Sequence, residues 1–229
     1  LVNDDRVWRE EFIIPGTFDI SAGTNTAGTL TRWYRDQLFP DVVAAAEKAG
    51  GNAYELMMHG VANIPPGSGG LVTLPYFAGE RTPINDPLAK GVIFGLTLEH
   101  TRDHLYRSAL ESVGFAINQH FKIFREHGVP MRKIMATGGG TKNPVWLQLI
   151  SDITGEVLRT SKNTIGASFG DAMMAAMGIR YFSGYEELAA VIEEGPNYRP
   201  DPEKHAVYQK YQQVFDDLYL QTKDLAHRL

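Results

Sequence analysis

The 229 residues contain no cysteine, which excludes disulfides and thiolate metal sites. No apolar run approaches the roughly 20 residues a membrane-crossing helix needs, and no signal-peptide pattern is visible at the start. The expectation is therefore a cytoplasmic protein with no membrane partner. Positive charge is also scarce: 22 Lys and Arg stand against 27 Asp and Glu, a net charge of -5. That argues against a broad nucleic-acid footprint, so an anionic ligand would have to be held locally, by N–H groups, single cations or a metal. Internal repeats and low-complexity tracts are absent. The start at Leu1 rather than Met leads to the expectation of a piece of a longer chain. With 43% hydrophobic and 21% charged residues, the composition is that of a globular protein.

What is present is concentrated in one stretch, Lys133 to Gly155. Ile134, Met135 and Ala136 form a short apolar run suited to a buried strand. Gly138, Gly139 and Gly140 allow a tight turn whose backbone can approach a ligand closely. Asn143 and Pro144 then open a helix, Asn as a good N-cap and Pro at the first helical position. Trp146, Leu149, Ile150 and Ile153 follow at the spacing of one helix face, and Gly155 is the expected stop. Strand, glycine turn and helix N-terminus together make a pocket floor. A flat ring could lie on the glycine backbone, and the free N–H groups of the first helical turn favour an electron-rich or anionic partner. An ordinary tight turn in an α/β domain fits the local pattern equally well. The stretch is not a Walker loop, because Lys142 is followed by Asn143 and the required glycine spacing is missing.

Elsewhere the pattern predicts strands over 7–14 and 17–21, a small-residue loop over 22–28, and helices starting near Leu30, at Asp41 and after Asn52. Short apolar segments follow at 71–74 and 91–95. A long helix is expected over 99–127, with Leu105, Ala109, Val113, Ile117, Phe121 and Phe124 along one side; it would span about 40 Å at 1.5 Å per residue. A strand is predicted over 157–160. Helices are predicted over 166–177, 185–193 and from Asp201, the last with Val207, Tyr211, Val214, Phe215 and Leu218 on one face. Strands alternating with long helices define an α/β domain with a mixed sheet flanked by helices.

Two further motifs make the chain recognisable. Gly91-Val-Ile-Phe-Gly-Leu96, then seven residues, then His104-Leu-Tyr-Arg-Ser-Ala-Leu-Glu111 resembles the second signature of the FGGY carbohydrate kinases. The Gly79-Glu-Arg-Thr-Pro83 loop, with Asn85-Asp86-Pro87, resembles the preceding loop of xylulokinase-like members. Gly138 to Asp152 resembles the family's adenosine motif, and Ala27-Gly28 before Arg32-Trp33 its Ala-Gly loop near the phosphates. The resemblance runs from about Trp8 to Tyr208.

The resemblance implies two actin-like, ribonuclease H-like domains with a cleft between them, and ATP-dependent phosphorylation of a sugar or polyol hydroxyl. Residues 1–229 would be the C-terminal, nucleotide-side domain. Gly138, Gly139, Gly140 and Asn143 would hold the adenosine end of ATP or ADP, Gly28 would contact the phosphate tail, and Arg32 would supply a polar nucleotide contact. Gly166 to Asp171 would link the domain back to the hinge. The catalytic aspartate, most of the Mg²⁺-organising acids and most of the sugar site would lie in a missing N-terminal domain. No catalytic or metal residue is therefore assigned in this chain, and the chain alone is expected to be inactive. The Gly79–Pro83 loop leans toward a ketopentose such as D-xylulose, with glycerol, ribulose or another polyol as alternatives. Two readings from other classes are an actin- or heat-shock-like nucleotide switch and a non-catalytic binding domain. Several further residues carry plainer expectations. Gly166 and Gly170 are expected to serve close helix packing, Glu111 to lie on a charged face or in a buried hydrogen bond, and Arg81 to form an ion pair or reach the domain interface. His100 and His104 are read as solvated or core residues rather than metal ligands. A homodimer is left open, with Tyr208, Tyr211 and Phe215 facing either the core or a second copy.

Overall fold

The computed structural model describes residues 2–162 and 166–229. Two small antiparallel ladders come first. Strands β1 (Trp8–Glu11) and β2 (Phe18–Ser21) pair in one, with Trp8 opposite Ser21. Strands β3 (Val72–Leu74) and β4 (Val92–Phe94) pair in the other. A mixed three-stranded sheet joins β5 (Ile134–Met135), β6 (Leu158–Ser161) and β7 (Glu194–Tyr198), parallel between β5 and β6 and antiparallel between β6 and β7. Helices α1 (Gly28–Leu38), α2 (Pro40–Ala49) and α3 (Ala53–Ala62) lie between the first two ladders in the chain. The anticipated α/β class is borne out, with the strands distributed over three short ladders.

Helix α4 (Arg102–Glu126) is the centre of the molecule. It packs against α1, α3, β3, α5 (Pro144–Thr154) and α8 (Pro202–Ala226). Every residue from Tyr106 to Ala116 is buried, so the single apolar side expected from spacing is replaced by burial all round. Small residues make this feasible. Gly114 admits Ile153 of α5 so closely that a Cβ there would stand 2.6 Å from Ile153 Cδ1. Ser108 and Ser112 satisfy their hydroxyls on the carbonyls of Leu105 and Ala109, three residues back.

Polar groups bury with it. Glu111, which has no exposed surface, accepts hydrogen bonds from Arg107 Nε at 2.9 Å, Tyr208 Oη and Ser68 Oγ at 2.8 Å each, and Gly67 N at 3.1 Å. Glu111 thus takes the buried-hydrogen-bond role. Arg107 also donates to the Val61 carbonyl at 3.0 Å. This network fixes the phase of α8. The buried positions are Tyr208, Gln212, Phe215, Leu218 and, at the end, Ala226, whereas Val207 and Val214 are exposed, correcting the face read from apolar spacing. Tyr208 and Phe215 lie wholly inside this chain's own core, which removes them as contacts for a second copy.

Two other expectations change. The segment 185–193 is a shorter helix, α7 (Tyr185–Ala190), and the chain then forms β7, which the sequence pattern did not indicate. Helix α6 (Ala167–Gly178) buries none of its residues, and a Cβ added at Gly166 or Gly170 would meet nothing within 4 Å among the described residues. The close packing expected of those glycines is therefore not made among the described residues.

Candidate functional site: a glycine turn at a helix N-terminus

The turn after β5 is built as its sequence requires. Gly138 sits at φ 86°, ψ -170°, a conformation that disfavours any side chain. A 3₁₀ turn over Gly139–Lys142 follows, with Thr141 N bonded to the Gly138 carbonyl at 3.1 Å and Asn143 N to the Gly140 carbonyl at 3.1 Å. The N–H groups of Gly139 and Gly140 are the first two of the turn and lie outside its i→i+3 ladder. A Cβ at Gly139 would meet nothing within 4 Å, so the surface above it is open; at Gly140 it would lie 3.4 Å from Trp146 Cζ3.

Asn143 caps α5, its Oδ1 accepting from Trp146 N at 3.0 Å. Its Nδ2 donates to no described residue, so the same side chain can cap the helix and still present a donor. Trp146, 9% exposed, donates its indole N–H to the carbonyl of Leu110 and anchors the turn on α4. Pro144 stands at N1 and Gly155 closes the helix at φ 72°, both as expected.

Gly28 is the first residue of α1, which has no side-chain cap, and a Cβ there would also meet nothing within 4 Å. Arg32, one turn further on, is exposed and makes no ion pair among the described residues. The structure thus brings Gly138, Gly139, Gly140 and Asn143 into one turn and Gly28 and Arg32 onto one helical turn. No hydrogen bond joins the two groups; α4 supports both, since α1 and α5 each pack on it. None of the six lines either of two clefts, one beside Arg6 and Tyr219, the other of about 600 Å³ beside Asn63, Arg107 and Gln148.

The other candidates resolve simply. Arg81 has no carboxylate within ion-pair distance among the described residues; its guanidinium lies 5.7 Å from the Trp8 ring centre and donates to the Thr24 carbonyl at 3.4 Å. His104 Nδ1 accepts the Thr101 N–H at 3.2 Å and His100 Nδ1 the Thr97 N–H at 2.9 Å, so both rings serve the entry to α4. Among the described residues no three His, Cys, Asp or Glu side chains are grouped to hold a metal ion. The sequence pattern does not single out Glu80, which is buried and hydrogen-bonded to Thr24 and Asn25 in the loop that leads to Gly28; an acidic residue in a turn-rich segment gives no sign of this.

The fold is that of the actin-like ATPases, as in the sugar kinases that neighbour it in structure. Residues 8–179 match the C-terminal domain of the FGGY family of carbohydrate kinases, and the chain belongs to that family. It is 31% identical to a xylulose kinase of Staphylococcus epidermidis over 213 residues, covering 93% of this chain and 41% of that protein. It is also 31% identical to a ribulokinase of Geobacillus thermodenitrificans over 218 residues, covering 92% of this chain and 39% of that one. A crystal structure of xylulose kinase from Rhodospirillum rubrum superposes with a TM-score of 0.83 at 31% identity, covering 98% of this chain and 44% of that chain. The chain thus spans about two fifths of the length of the curated relatives it matches. No helix among the described residues is long and apolar enough to cross a membrane.

Proposed function

We propose that the intact protein transfers the γ-phosphoryl group of ATP to a hydroxyl of a sugar or polyol, and that residues 1–229 form the nucleotide side of the cleft. The observation that carries this reading is the open backbone above Gly139, next to a capped helix N-terminus whose Asn143 amide still has a free donor. A ring lying on Gly139 would take the place a Cβ would fill, and Asn143 Nδ2 would donate to it. Gly28, at the start of α1, would meet the phosphate tail, with Arg32 as a nearby cation. ATP supplies the phosphoryl group when bound. A half-site also accounts for the shallowness of the surface: a ligand shared with a facing N-terminal domain needs no deep pocket in either half. The described residues offer Mg²⁺ no cage of their own, so the nucleotide and the companion domain would carry it, along with the base that takes the hydroxyl proton.

A ketopentose is the favoured acceptor, supported by the Gly79-Glu-Arg-Thr-Pro83 loop and by similarity to both a xylulose kinase and a ribulokinase. The test is ADP release by the full-length protein with D-xylulose, D-ribulose, gluconate or glycerol, each with ATP and Mg²⁺. The expected result is the highest kcat/KM with a ketopentose and no turnover by residues 1–229 alone. Turnover by the isolated chain would overturn the division of labour; failure of every polyol in a folded, ADP-binding protein would overturn the kinase reading.

A further inference from the structure

Glu80 is 2% exposed and has no cation within ion-pair distance among the described residues. Burying an ionised carboxylate without such a partner is costly unless hydrogen bonds replace its water. Here they do. Oε2 accepts from Thr24 Oγ1 at 2.6 Å, and Oε1 accepts from Asn25 N at 3.0 Å and Arg81 N at 2.7 Å. An ionised carboxylate only accepts, and all three neighbours donate. The base of this arrangement is rigid, because Glu80 and Asp86 exchange both backbone hydrogen bonds at 2.9 Å.

The residues Glu80 holds are those that lead into α1. Thr24 and Asn25 precede Gly28 by four and three positions. Their neighbours are tied to the same segment: Thr82 N donates to the Gly23 carbonyl at 3.0 Å, Asn25 Nδ2 to the Ala78 carbonyl at 3.0 Å, and Thr26 Oγ1 to the Pro75 carbonyl. Arg81 also joins this lacing, its guanidinium donating to the Thr24 carbonyl at 3.4 Å, but Glu80 alone among these side chains grips two consecutive loop residues. Helix α1 lacks a side-chain cap at Ala27, so the direction in which its first N–H groups point is set by the loop before it.

We propose that Glu80 is a positioning residue for the phosphate side of the nucleotide site, fixing Thr24 and Asn25 so that the backbone at Gly28 is presented to the phosphate tail. This rests on the nucleotide reading of Gly28 above. Glu80 touches no substrate; it acts through the loop.

The test uses the full-length protein and separates phosphate from ring by titrating ADP and adenosine in parallel. Glu80→Ala should weaken ADP about tenfold and adenosine less than about twofold. Glu80→Gln should stay within about threefold of wild type, because its carbonyl oxygen can still accept from Asn25 and Arg81 while the Thr24 hydroxyl turns to accept. Equal losses for ADP and adenosine would mean a general loosening and would overturn the proposal, as would unchanged ADP affinity in folded Glu80→Ala. If Glu80→Ala does not fold, Thr24→Val replaces it. That variant removes one of the three hydrogen bonds and should weaken ADP selectively by about threefold; no loss would overturn the proposal. Gly139→Val is the control for the underlying reading, since it should weaken both ligands. Normal binding by Gly139→Val would sink the nucleotide site itself, whereas a weakened Gly139→Val beside a normal Glu80→Ala would sink only the role of Glu80.

Discussion

The indole Nε1 of Trp146 donates to the backbone carbonyl of Leu110 at 3.1 Å, binding the first turn of α5 to the middle of α4. One buried hydrogen bond thus holds the glycine turn against the most enclosed element of the fold. Trp146→Phe keeps an aromatic ring and removes that bond and part of the packing. The expected loss of stability is about 1–3 kcal/mol, of which about 1 is the hydrogen bond. Urea denaturation would measure it; an unchanged midpoint would show that the bond contributes nothing net.

Asn143 has two separable duties. Its Oδ1 caps α5, and its Nδ2, which donates to no described residue, is the proposed donor to the nucleotide. Asn143→Asp keeps the cap and loses the donor, so stability should hold within about 0.5 kcal/mol while ADP affinity falls. Asn143→Ala loses both, and stability should fall by about 1 kcal/mol as well. If the proposed kinase activity holds, the KM of the intact protein for ATP should rise more than that for the sugar in both variants. Wild-type ADP affinity in Asn143→Asp would remove the amide from the site.

Gly139 lies outside the positive-φ region and has nothing within 4 Å of the position a Cβ would take. Gly139→Val should therefore fold with little loss of stability, yet weaken ADP tenfold or more, on the order of 1.4 kcal/mol. The combination is the diagnostic result. A large drop in thermal midpoint with a proportionate loss of binding would instead mark the glycine as a backbone requirement.

Glu80 should be visible in the pH dependence of folding. Burial raises its pKa above its ordinary value near 4.5, although hydrogen bonds from Thr24, Arg81 and Asn25 pull the other way. A folded-state pKa above the unfolded one means a contribution fully present below about pH 4 and lost as pH rises through the folded value. Glu80→Gln cannot ionise and escapes that loss. Its stability relative to wild type should improve from pH 4 to pH 8 in chemical denaturation; a flat difference across that range would contradict the raised value.

Helix α5 was legible because all its signals are local: a cap at Asn143, a proline at N1, a face from Trp146 to Ile153 and a glycine stop. The phase of α8 was not, because Tyr208 is drawn inward by Glu111 and Arg107, residues about a hundred positions earlier, and apolar spacing carries no record of a buried polar partner. Strand β7 was missed for a related reason. Its residues, Glu194-Gly-Pro-Asn-Tyr198, contain the usual strand breakers and no alternation, and are held by pairing with β6 rather than by intrinsic preference. The glycine turn was read correctly as a turn, but its open upper surface and the Asn143 amide, unpartnered among the described residues, are facts of three dimensions.

Helix α4 has no free side between Tyr106 and Ala116. A rod gripped all round can neither slide nor roll without opening the core, so its middle amides should exchange with solvent only when the whole domain unfolds. The loop before α1 and the turn before α5 then hang from a common fixed post. On the proposed reading, any hinge in the intact protein would lie beyond that post, and both halves of the proposed nucleotide surface would travel together as one rigid jaw.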